Sequence, residues 1–81
     1  MQKANDRAMW ALRRARDLCD EARLLPLEPG TREEVDALGL KIAGHIGSSL
    51  AWFGPEAPAR MEALANEIER ELRRLVPDLP G

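Results

Sequence analysis

The chain predicts an all-α fold, a three-helix antiparallel bundle, and three observations carry that prediction. Apolar residues recur at alternating three- and four-residue steps in three long segments, proline and glycine cluster between those segments, and no stretch alternates with the period of a strand. The helices are predicted over about 4–25, 32–53 and 57–76. Their matched lengths and short connections favour an up-down-up order.

In the first helix the apolar positions are Ala8, Ala11, Leu12, Ala15, Leu18, Cys19, Ala22 and Leu25, one face of a helix close to a heptad seam. Pro26 and the Pro29-Gly30 pair end it. The second helix is predicted to open on a capping box, Thr31-Arg32-Glu33-Glu34, in which the threonine hydroxyl and the Glu34 carboxylate would satisfy each other's backbone N–H groups. Gly54-Pro55 closes it. The third helix carries Pro58 in its first turn and a core stripe of Met61, Leu64, Ala65, Ile68, Leu72, Leu75 and Val76. Glu69 and Arg73 form a favourably oriented i,i+4 pair on its outer side. The remainder, 77–81, is expected to be a frayed tail.

The second helix is the unusual one. Its principal stripe is Val35, Leu38, Ile42, Ile46, Ser49, Leu50 and Phe53, but small residues also recur every fourth position at Gly39, Ala43, Gly47 and Ala51. Glycine in a helix costs roughly 1 kcal/mol relative to alanine, so the pattern calls for a compensating close approach by another helix. A helix apolar around most of its circumference wants neighbours on more than one side. The sequence therefore predicts a homodimer packed through this helix, with Leu40, Ala43, Gly44, Gly47 and Ala51 at the interface. Glu34, Lys41, His45, Ser48 and Trp52 form the narrow polar or mixed strip that remains.

Composition bounds the function. With 81 residues, 44% hydrophobic and 32% charged, the chain reads as a single α-helical domain spanning 1–81 whose core is too small for a deep cavity. No segment approaches the roughly 20 apolar residues of a membrane span. The first residues lack the apolar region of a secretory signal, and one cysteine excludes an internal disulfide, so a cytoplasmic protein is expected. Ten arginines against two lysines, with abundant alanine, suggest a bacterial or phage source. Charge is nearly balanced: residues 1–25 hold six basic against four acidic groups, whereas a nucleic-acid binder usually concentrates a larger basic excess on one face. One histidine, one cysteine and scattered acids give no metal-ligand cluster, and the glycines lie within a helix rather than in a phosphate loop. No metal and no cofactor are expected.

Two positions invite a partner. Trp10 falls about 180° from the apolar stripe of the first helix, beside Arg13 and Arg14, and tryptophan with arginine is the composition of binding hot spots. Trp52 lies on the mixed strip of the second helix. Catalysis at His45 and Ser48 would need an orienting carboxylate, and the second helix holds no acid after Asp36.

The stretch His45-Ile46-Gly47-Ser48-Ser49-Leu50-Ala51-Trp52-Phe53-Gly54 resembles, over about ten residues, the phosphoacceptor helix of histidine phosphotransfer domains, which reads roughly H-x-L-K-G-S-S. Gly47-Ser48-Ser49 matches. His45 stands two residues before the glycine rather than four, Ala43 occupies the matching position, and Ile46 replaces the lysine. The expectations that follow are ordered. First is a small non-enzymatic protein-binding module of the inhibitor or adaptor kind, using Trp10, Arg13, Arg14 and Trp52. The alternative is a small DNA-binding transcriptional or antitoxin-like regulator. Third is a degenerate phosphotransfer-like carrier.

Overall fold

In the computed structural model, residues 2–48 and 52–79 are described, and they form three helices: α1 (Gln2–Arg23), α2 (Pro29–Gly47) and α3 (Ala57–Leu75). No strand occurs among the described residues. The all-α helical bundle is therefore as the periodicity implies.

Helix α1 is the wall that both other helices share. It packs most extensively on α3 and next on α2, whereas α2 and α3 touch each other least. Ala8, Leu12, Ala15, Leu18, Cys19 and Ala22 are all buried, the stripe that the three-four spacing assigns. On its rim, Arg7 pairs with Glu62 at 3.1 Å and Arg14 with Glu69 at 3.6 Å. Each partner moves on by the same two turns, so α1 and α3 stay in register. Against α2 the numbers run oppositely, with Arg23 beside Asp36 and Cys19 beside Gly39.

Gly39 is where α2 makes the close approach expected of its small residues. A Cβ there would lie 2.6 Å from Arg23 Nη2 and 3.8 Å from Cys19 Cβ. The Arg23 guanidinium lies across this position. Its Nε donates to Asp36 Oδ1 at 2.8 Å and its Nη1 to Asp20 Oδ1 at 3.4 Å, while Arg32 Nη1 donates to the Arg23 carbonyl at 3.4 Å. Gly44 and Gly47 differ, for a Cβ on either meets nothing within 4 Å. Among the described glycines of α2, Gly39 alone meets a neighbour within 4 Å in the single chain.

Both ends of α2 depart from the sequence expectation. The helix starts at Pro29 with Glu28 as its extended N-cap, and no side-chain cap forms. Thr31 is already inside the helix, so the capping box does not. The reason is Pro29: its fixed φ and missing N–H suit the first helical position, which moves the start upstream. At the other end α2 stops at Gly47, with Ser48 extended at φ −94°, ψ 118°. The helix ends six residues before the expected end at Phe53. Phe53, assigned to the principal stripe, is consequently 79% exposed, and Ser49, Leu50 and Ala51 lie outside the described residues.

Gly54 takes φ +95°, a conformation open to glycine at little cost, and its carbonyl accepts from Ala57 N–H at 3.2 Å to start α3. Helix α3 buries Ala57, Met61, Ala65, Ile68 and Leu72. After it the chain does not simply fray. Val76 N–H donates to the Leu72 carbonyl at 2.8 Å, Leu79 N–H to the Val76 carbonyl at 3.1 Å, and the Leu79 side chain is only 7% exposed within the core cluster. Pro77 stops the helix, but an apolar residue two positions later still gains by turning back under it. Leu79→Ala should therefore cost about 2–3 kcal/mol in a urea unfolding titration. A loss below about 0.5 kcal/mol, the usual range for surface positions, would show that this turn does not belong to the core.

Candidate interaction surfaces

Trp10 leaves α1 on the side away from its buried stripe and is 62% exposed. The Arg14 guanidinium lies over its ring at 5.7 Å from the centroid, within cation–π range and worth roughly 0.5–1 kcal/mol at an exposed site. The same guanidinium reaches Glu69 on α3 at 3.6 Å, and Glu69 also accepts from Arg73 Nε at 3.4 Å, the i,i+4 pair expected from the sequence. Trp10, Ala11 and Arg14 with Ala65, Asn66 and Glu69 line an open notch of about 190 Å³ between α1 and α3. Arg13 is exposed beside it.

The contribution of α3 to this notch was missed from sequence. Its signal was present: Arg7 and Arg14 are spaced by the same two turns as Glu62 and Glu69, and matched charges at heptad spacing mark facing rims.

Trp52 stands elsewhere and does different work. Because α2 ends early, Trp52 lies beyond the helix, half-buried against the core, and its indole Nε1 donates to the His45 carbonyl at 3.1 Å. One of the carbonyls that every helix C-terminus leaves unpaired is thereby satisfied. His45 Nδ1 lies 2.8 Å from the Lys41 carbonyl, an acceptor only, so that nitrogen carries the proton and donates. Of this strip, Trp52 thus helps finish α2, while the Lys41 side chain stays exposed. No carboxylate hydrogen-bonds His45 among the contacts described.

Of the predicted dimer residues, Leu40, Ala43, Gly44 and Gly47 lie on the side of α2 turned away from α1 and α3, and Ala51 lies outside the described residues. Leu40 is 73% exposed, and Ala43, Gly44 and Gly47 are exposed with it. Beside that face runs a shallow groove between α2 and α3, floored by Leu38, Ile68 and Leu75 and rimmed by Glu34, Lys41 and Glu71. Arg74 pairs with Glu71 and holds its carboxyl below the ordinary 4.5.

Cys19 is fully buried against Gly39, and burial pushes its thiol from 9.0 up to about 11 despite the nearby Arg23. Among the described residues no group of His, Cys, Asp and Glu side chains could hold a metal ion, and no helix is long and apolar enough to cross a membrane. Comparison with known protein families, curated proteins and solved structures finds no match.

Two measurements check this geometry. Collisional quenching of tryptophan fluorescence by iodide should act mainly on Trp10, so Trp10→Phe should remove most of the quenchable emission; equal quenching of both indoles would contradict the Trp52–His45 contact. For Cys19, only the unfolded chain gains by ionising between pH 9.0 and about 11. Stability should therefore hold below pH 9 and fall as pH rises toward 11, more steeply than in Cys19→Ala. Parallel pH–stability curves would overturn the burial of the thiol.

Proposed function

We propose that this chain is a small non-enzymatic protein-binding module of the inhibitor or adaptor kind, docking a larger protein through Trp10, Arg13 and Arg14. The observation that carries the proposal is the exposure of Trp10 together with its setting. A 62% exposed indole, steadied by Arg14 at 5.7 Å and bordered by a notch that reaches α3, presents a large apolar area at low entropic cost. The scaffold is an up-down-up antiparallel bundle, supported by the opposed pairings of α1 with α2 and the matched pairings of α1 with α3. It works as a homodimer through the open side of α2, where Leu40 and the neighbouring small residues lack cover within the chain. Trp52 acts here from inside, holding the end of α2.

The test is capture of the partner from the native host by immobilised protein. Trp10→Ala should weaken capture of a specific protein by about thirtyfold, as for a binding hot spot, with an unchanged helical signal. Arg70→Ala, on the outer side of α3, serves as the control and should leave capture intact. Equal capture by Trp10→Ala and the wild-type chain would remove this surface.

A further inference from the structure

The face of α1 that points away from the bundle carries opposite charges on either side of its tryptophan. Asp6, Trp10, Arg13 and Asp17 lie along one line of the helix at steps of four, three and four, and all four are exposed. Arg7 and Arg14, which turn toward α3, are already paired with Glu62 and Glu69, and Arg16 meets Asp17 at 4.0 Å. Asp6 and Arg13 make no salt bridge among the described residues. The two charges left open thus flank Trp10 with opposite signs. At 1.5 Å per residue, Asp6 stands about 6 Å before Trp10 and Arg13 about 4.5 Å after it. Reversed end for end, the line presents a basic group where it had an acidic one, at nearly the same distance from the indole. In sequence the pattern extends one step further, with Lys3 and Asp17 each seven residues from Trp10. Such a line is its own complement.

We infer that the occupant of this face, when no larger protein is bound, is a second copy: two chains pair α1 against α1, antiparallel, about a two-fold axis at Trp10. Asp6 then comes level with the second copy's Arg13 to within about 1.5 Å along the helix, and the contact occurs twice, as an isologous pairing requires. The two indoles meet at the axis, where offset stacking is open to them. The same axis keeps the α3 side of both copies on one side of the contact, so Arg7 and Arg14 stay with their glutamates at its edge. A parallel pairing would set Asp6 on Asp6 and Arg13 on Arg13, and both contacts oppose it. Helices α2 and α3 pack on the buried stripe of α1, away from Trp10, so neither obstructs the approach. One helix face buries less than a standard interface, which makes the pairing weak and reversible. Where the docking reading above holds, on which this last step rests, self-pairing masks Trp10 and competes with the larger protein by mass action.

Quenching of Trp10 emission by neutral acrylamide reads this contact directly and is independent of any association through α2. Protection of Trp10 should grow as the wild-type chain is concentrated from about 10 μM to about 1 mM. Asp6→Arg leaves two basic groups on the line and Arg13→Asp two acidic ones, so either chain alone should need about tenfold higher concentration for the same protection. Mixed in equal amounts, the two variants again set unlike charges opposite each other, and protection should return to about the wild-type level. Both positions are exposed in the single chain, so circular dichroism should show helix retained. Quenching that does not change with wild-type concentration overturns the pairing. Protection that survives either single substitution, or that is lost in both and not recovered on mixing, overturns the antiparallel register. Either failure leaves the capture test of Trp10→Ala as it stands, whereas failure of that capture test removes the masking and leaves the pairing.

Discussion

The structure depends on how closely two helices can approach α1. The buried face of α1 is built mainly from alanine and cysteine, with Leu12 and Leu18 as the large residues, so α3 can lie along it in register. On its other flank α2 meets α1 at Gly39, where the absence of a side chain leaves room for the Arg23 guanidinium. The Arg23 guanidinium takes that space and ties Asp20 and Asp36 together across the junction. In a chain this short, such an approach substitutes for depth of core.

That arrangement explains why the remaining surfaces look as they do. With α1 serving both neighbours, α2 and α3 diverge and leave a groove floored by Leu38, Ile68 and Leu75. The far side of α2 faces away from α1 and α3. On the opposite flank, the close contact of α1 with α3 brings Glu69 under Arg14 and frames Trp10 with Asn66 and Ala65. A tryptophan that would otherwise project from a lone helix thus sits at the edge of a two-helix notch. The two tryptophans divide the labour: one is offered outward, and the other closes α2 through the His45 carbonyl.

Cys19 is desolvated and its thiolate disfavoured, and His45 has one ring nitrogen engaged with a backbone carbonyl.

By itself the sequence determined the helical class, the three segments, and nearly every core position of α1 and α3, because a single apolar stripe at helical period admits one burial. It also determined that Trp10 lies off that stripe, and the pairing of Glu69 with Arg73. Tertiary structure alone decided the rest. Thr31 and Glu34 have the residue types and spacing of a capping box, yet Pro29 starts the helix three residues earlier. Phe53 fits the apolar stripe of α2 only if the helix lasts that long, and it ends at Gly47. Leu79 reads as tail until the turn after Val76 carries it into the core. Among three helical glycines of like appearance, Gly39 meets a neighbour within the chain while Gly44 and Gly47 do not. Periodicity says which side of a helix is apolar, but which of several small apolar sides is covered depends on where the other helices run, and that is a property of the packed chain.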